Sequence, residues 1–150
     1  MLHVLSAPNR HRRQSGQAIV EGALVLLVAL SIIIFVLDMG RLMLMQQFIT
    51  ERARVTARAA AVNNWSATSV KNYFLFNSTT APNGATSGFL GLTASEVAYT
   101  TLGTLGNPDY RVQITVSNVP LLMFVPYIAG TYTAPTVIAT MPAQSLGATN

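Results

Sequence analysis

The sequence predicts an α+β fold in which one long N-terminal helix, half membrane-spanning and half amphipathic, carries a small antiparallel β-sheet domain. Three observations lead there. Residues 18–37 form an apolar run in which Glu21 is the only charge and Ser31 the only other polar side chain. From Arg41 to Val62 the chain contains neither glycine nor proline, and its apolar residues recur three and four apart, the spacing of a one-sided helix. Between Tyr110 and Ser117 apolar and polar residues alternate strictly, the period of a half-buried strand.

Composition narrows the class. Of the 150 residues, 51% are hydrophobic and only 9% charged, where about 25% charged is usual for a soluble domain. No cysteine is present, so disulfides and thiolate metal sites are excluded. The net charge of +4 is concentrated at the start: Arg10, Arg12 and Arg13 precede the apolar run, leaving six basic residues against five acidic ones. That balance supplies no basic patch to neutralise phosphates, so nucleic acid is not an expected partner.

Residues 1–16 contain Arg10, His11, Arg12, Arg13 and Pro8 and no acid, which predicts a short cytoplasmic leader rather than a folded element. A helix is expected over 17–62, with 18–37 as its transmembrane part. At about 1.5 Å per residue that part is about 30 Å long, the thickness of a bilayer's hydrocarbon core. Glu21 is costly there and has two readings, a helix-start acid favoured by the dipole or an intramembrane group with a functional partner. Basic residues near the two ends of the span balance, but those of the leader are unopposed, whereas Asp38 and Glu51 accompany Arg41, Arg52 and Arg54. The N-terminus is therefore expected inside.

Past the span, Leu42, Met45, Ile49, Ala53, Thr56 and Ala60 define an apolar arc, flanked by Phe48, Val55 and Ala59, with Gln47, Glu51, Arg54 and Arg58 opposite. Asp38 and Arg41, three apart, predict a surface ion pair at the membrane boundary, worth about 0.2–0.5 kcal/mol. Arg52 interrupts the arc, where its stem is expected to snorkel along the surface.

The remainder, 63–150, is expected to be a small α+β domain. Asn63-Asn64 ends the long helix, Ser66 or Thr68 caps a short second one through Val70, Tyr73 and Phe74, and Trp65 packs at the corner. The run from Asn77 to Gly91 is a long loop, either functional or mobile. Residues Glu96 to Leu102 pair as a strand with Tyr110 to Val116, although Thr93-Ala94-Ser95-Glu96 matches a capping box and offers a competing helix start. Leu121 to Ile128, broken by Pro126, is a core-filling connection or a subunit contact. A third strand, Thr136 to Met141, lies at an edge between Pro135 and Pro142.

Catalytic chemistry finds little to work with. Both histidines, His3 and His11, lie in the leader, and the acids Glu21, Asp38, Glu51, Glu96 and Asp109 are scattered. With no phosphate loop or paired carboxylates either, the expectation is no enzyme, no cofactor, no metal and no small-molecule substrate.

The stretch Arg12-Arg13-Gln14-Ser15-Gly16-Gln17-Ala18-Ile19-Val20-Glu21 carries a glycine, four residues and a glutamate behind a basic leader and ahead of an apolar helix, the type IV prepilin pattern. With Asp38-Met39-Gly40-Arg41 and the Arg- and Ala-rich helix that follows, residues 12–62 resemble TadE-like pseudopilins, minor pilins of the tight-adherence (Flp) pilus. Gly22 stands where prepilins usually carry phenylalanine.

The resemblance implies that prepilin peptidase, a membrane aspartyl peptidase, cuts between Gly16 and Gln17; a residue without Cβ lets a protease approach the backbone. It further implies that Glu21 serves assembly and that Asp38 and Arg41 meet an assembly platform. Other pilins or pseudopilins and membrane lipids complete the expected partners. The location implied is the bacterial inner membrane, single-pass, with the C-terminal domain outside the cytoplasm. Two other readings stay open, a filament-forming pilin and an uncleaved, membrane-anchored periplasmic adaptor or adhesin.

Overall fold

A computed structural model of the chain describes residues 11–123 and 130–143. Its fold is α+β: helix α1 (His11–Asn63), helix α2 (Ala67–Phe76), a 3-10 turn (Phe89–Gly91) and five strands, β1 (Val97–Leu102), β2 (Arg111–Val116), β3 (Pro120–Leu122), β4 (Thr131–Thr133) and β5 (Val137–Pro142).

Helix α1 runs 53 residues without interruption, about 80 Å at 1.5 Å per residue. It starts at His11, so the expectation of an unfolded leader fails over 11–16; residues 1–10 lie outside the described part. Nothing in 11–16 breaks a helix except the modest penalty of Gly16, and Pro8 lies upstream of the first turn.

The helix has two regimes. From Gly16 to Leu30 every residue is exposed, and its most apolar stretch has a mean hydropathy of 2.9 with none of it buried, so it is long and apolar enough to cross a membrane. From Ile49 onward one face is covered: Ile49, Ala53, Thr56, Ala57 and Ala60 are buried, with Leu42 and Met45 packed partly against them. Gln47, Glu51, Arg54 and Arg58 are exposed, as their spacing predicts. Phe48 and Val55, expected to flank the core, are instead exposed at 57% and 43%. The arc centres on Ala53, Ala57 and Ala60, which turns those two residues outward.

Small side chains on that face let the sheet approach closely. The main sheet has the order β1-β2-β5, with every neighbouring pair antiparallel. Its inward residues are in register: Val97 opposite Val116 and Tyr99 opposite Ile114 on one side of β2, Val116 opposite Val137 and Ile114 opposite Ala139 on the other. Val112, Ile114 and Val116 of β2 are buried, while Arg111, Gln113 and Thr115 point the other way. The expected edge position of the last strand holds, with Pro142 ending the β5 ladder opposite Arg111. A bulkier residue at Ala57 would have to push the sheet away, and overpacking of that kind typically costs about 1–3 kcal/mol.

The domain also contains a second, two-stranded sheet that no periodicity in the sequence marks. Strands β3 and β4 pair antiparallel, and Leu121 is buried, so the start of the Leu121 to Ile128 run forms a strand with its side chain in the core. Its later part, 124–129, lies outside the described residues. Three residues with two apolar positions are too short for a visible period, which is why sequence pattern missed this strand.

The competition at Thr93–Glu96 is resolved in the strand's favour, yet half of the capping box forms. The Glu96 carboxylate accepts from the Thr93 amide at 2.6 Å and from its hydroxyl at 2.7 Å, and the Glu96 amide closes a turn on the Thr93 carbonyl. The chain then leaves as β1 because Val97 is buried against the sheet and the Ser117 amide bonds the Glu96 carbonyl.

Those hydrogen bonds from Thr93, with one from Ser95, hold the Glu96 carboxyl below its ordinary pKa. A carboxylate with a depressed folded-state pKa stabilises the fold above its unfolded pKa, and that contribution disappears as pH falls through the folded value. Glu96→Gln is therefore expected to lower the unfolding midpoint at neutral pH. The difference from the parent chain should close as the pH is taken below the carboxylate range, read from denaturant melts at a series of pH values.

Candidate functional site

The residues singled out by spacing, Gly16, Gln17 and Glu21, all lie on the bare part of α1. Each is exposed, and a Cβ added at Gly16 would meet no atom within 4 Å. At about 100° per residue, Gln17 and Glu21 share one side of the helix, whereas Gly16 and Glu21 are about 140° apart. Among the described residues no hydrogen bond or ion pair engages the Glu21 carboxylate. The peptide bond between Gly16 and Gln17 lies inside the helix, so a protease that binds its substrate extended must first unwind this turn. Glycine eases that step, costing a helix about 1 kcal/mol relative to alanine.

At the other end of the apolar run Asp38 is only 7% exposed, while Arg41 is exposed. The three-residue spacing places them on neighbouring positions of one helix side, with one member inside the fold and the other at its surface. Between Arg41 and the domain runs an open apolar groove of about 490 Å³, lined by Val36, Leu37, Gly40, Leu44 and Phe48 of α1 and by Leu90.

Arg52 is the residue whose role the sequence concealed. It does not snorkel. Its Nε donates to the Phe74 carbonyl at 3.0 Å, Nη2 to the Tyr73 carbonyl at 3.1 Å and Nη1 to the Asn77 Oδ1 at 3.1 Å. The guanidinium also lies 5.9 Å from the Tyr73 ring centre and 5.5 Å from that of Phe89. These acceptors form the C-terminus of α2, where carbonyls lack intrahelical partners and the dipole favours a cation. Helix α2 has no basic residue in its own last turn, so α1 supplies the charge. Asn77 completes the cap in left-handed backbone, its amide bonding the Tyr73 carbonyl at 3.0 Å.

The opposite end of α2 follows expectation: Ser66 is its N-cap, accepting from the Ser69 amide at 3.2 Å. Trp65 packs at the corner with its ring 4.9 Å from that of Tyr73. The remaining acids do not gather. Glu96 and Asp109 sit beyond opposite ends of the β1–β2 ladder, whose terminal pairs are Val97 with Val116 and Leu102 with Arg111. Among the described residues no group of three or more His, Cys, Asp or Glu side chains converges to hold a metal.

Because the three donors of Arg52 sit in one planar fork, lysine cannot reproduce them. Arg52→Ala is expected to destabilise the domain by about 1.5–3 kcal/mol, and Arg52→Lys to recover only a minor part. Hydrogen exchange should show the loss first in the α2 amides. Equal unfolding midpoints for the lysine variant and the parent would mean that charge alone suffices.

No protein-family model matches this sequence, and no curated protein or solved structure is significantly similar to it.

Proposed function

We propose that the chain is the precursor of a TadE-like minor pseudopilin, a membrane protein cut by prepilin peptidase between Gly16 and Gln17 that supports assembly of a tight-adherence pilus. The observation carrying this reading is the Gly16 to Glu21 spacing at the head of an apolar helix that continues as the packing helix of an α+β domain. On this reading the apolar half anchors the chain in the bacterial inner membrane, N-terminus cytoplasmic and domain outside.

The chemistry is hydrolysis of one amide. The leader leaves with a carboxylate at Gly16, and Gln17 gains an ammonium group. Glu21, four residues on and on the same helix side, pairs with that ammonium, either its own or that of a neighbouring subunit, and each neutralises a charge that lipid penalises. Removal of the basic leader then frees the helix to slide from the bilayer into an assembly. Phe48, Val55 and Val62, seven apart and exposed on the outer face of α1, supply an apolar stripe for a neighbouring helix. Subunits joined head to tail in this way build open helical assemblies.

One observation favours a second reading, an uncleaved single-pass adaptor: α1 continues unbroken through Gly16 and Gln17. Intact mass and N-terminal sequence of the membrane-extracted protein, with and without a co-expressed prepilin peptidase, separate the two. The expected product begins at Gln17, appears only with the peptidase, and is lost in Gly16→Ala. A start at Met1 beside an active, matched peptidase would establish the adaptor.

The pairing role has its own test. Glu21→Gln should leave cleavage intact and reduce pilus assembly at least tenfold, corresponding to loss of about 1.4 kcal/mol or more; unchanged piliation would remove Glu21 from the mechanism.

A further inference from the structure

A cut between Gly16 and Gln17 turns the backbone nitrogen of Gln17 from an amide into an amine. The new first residue then carries a nucleophile and, in its side-chain amide, an electrophile spaced to close a five-membered ring with it. Before the cut the same nitrogen is a peptide amide, so the leader blocks the reaction. This inference rests on the cleavage reading given above.

Nothing in the fold hinders ring closure. Every residue from Gly16 to Leu30 is exposed, and a Cβ added at Gly16 would meet no atom within 4 Å. Among the described residues no hydrogen bond or ion pair engages the Gln17 side chain.

One acid lies within reach of the new amine. Helix side chains lean toward the N-terminus, so Glu21, one turn on in α1, reaches back over Gln17. The next acid along α1 is Asp38, about 25 Å further up the axis at 1.5 Å per residue. A carboxylate this close favours the ammonium form, whereas the positive end of the helix dipole disfavours it. Only the free amine is a nucleophile, so Glu21 decides whether the ring can close.

We propose that Gln17 of the cut chain is a latent cyclisation site that Glu21 holds closed. When the amine loses its extra proton, its nitrogen attacks the Gln17 Cδ. The N–Cδ bond forms, the bond from Cδ to Nε2 breaks, and Nε2 leaves as ammonia with one proton taken from the amine. The product is a neutral lactam, and the step needs no oxidant, metal or cofactor. Cyclisation erases the positive charge that Glu21 neutralises and leaves that carboxylate alone at the head of the apolar run. The pair thus preserves itself: while Glu21 holds the ammonium, the charge it pairs with persists.

The test compares the parent chain with Glu21→Gln, each cut by co-expressed prepilin peptidase, extracted, and incubated in detergent at a series of pH values. Intact mass follows the loss of one ammonia, and fragmentation places that loss at residue 17. At neutral pH Glu21→Gln is expected to cyclise severalfold faster than the parent. The two rates should converge as the pH is raised well above the ordinary α-amino range, about 7.7–8.0, because the amine is then unprotonated in both. Adding Gln17→Ala to Glu21→Gln should abolish the loss. Equal rates at neutral pH, a slower Glu21→Gln chain, or no cyclisation in either overturns the inference, while a start at Gln17 keeps the cleavage reading. A parent chain that starts at Met1 beside an active, matched peptidase overturns both. If the peptidase refuses only the variant, both leaders are replaced by the recognition sequence of a protease that cuts immediately before residue 17, and the same outcomes decide.

Discussion

The face of α1 that carries Ile49, Ala53, Thr56, Ala57 and Ala60 is the surface on which the rest of the domain is laid. Four of these five side chains are small, and all are almost completely buried, so β2 and β5 rest close to the helix axis. Close approach brings Val112, Ile114, Val116, Val137 and Ala139 into one core with Phe74 and Leu92. The domain has no disulfide to constrain its unfolded state, and a chain this short relies on dense packing to be stable. Burial of these apolar surfaces against a helix that extends well beyond the domain links the sheet mechanically to whatever holds the helix.

Arg52 joins the other layer to the same helix. Its guanidinium bonds the Tyr73 and Phe74 carbonyls at the end of α2 and lies near the rings of Tyr73 and Phe89, so it adds a polar tie between α1, α2 and the turn at Leu90 to the core packing of Val70, Phe74 and Leu75. The alternative end of such a helix, with carbonyls turned inward and no donor, carries a desolvation cost that proteins rarely tolerate. The geometry also accounts for the exposure of Leu90: with Phe89 held near Arg52 and Gly88 pressed on the Leu75 carbonyl, the adjoining backbone has little freedom to turn its leucine inward.

A helix that serves lipid at one end and a protein core at the other must change its pattern along its length. From Ala18 to Leu37 almost every residue is exposed and apolar; past Asp38 one side is buried and the opposite side is charged. The proposed cleavage and the proposed adaptor place different demands on this one element. Cleavage requires the first turns to unwind around Gly16, whereas an adaptor keeps them helical. The unbroken helix from His11 to Asn63 describes the chain before any such event, and the glycine marks the place where unwinding is least costly.

Local pattern determined the long helix, through apolar positions three and four apart, and strand β2, through strict alternation in Arg111–Val116; Pro135 and Pro142 marked the edge strand, whereas β1 competed with a helix start at Thr93–Glu96 until its pairing with β2 decided it. The spacing of Gly16 and Glu21 was equally legible, since it is a property of the chain and not of its packing. Other features were decided only by tertiary structure. Arg52 looked like an interruption of an apolar arc because its acceptors lie 21 to 25 residues away; the outward turn of Phe48 and Val55 depends on which side of a small-residue face the sheet approaches. The β3–β4 pair is too short to carry a period, and the groove beside Leu90 exists only because α2 holds a distant turn against the helix. Local pattern is encoded within a few residues of itself, whereas hydrogen-bond partners and burial depend on contacts between segments that no local pattern records.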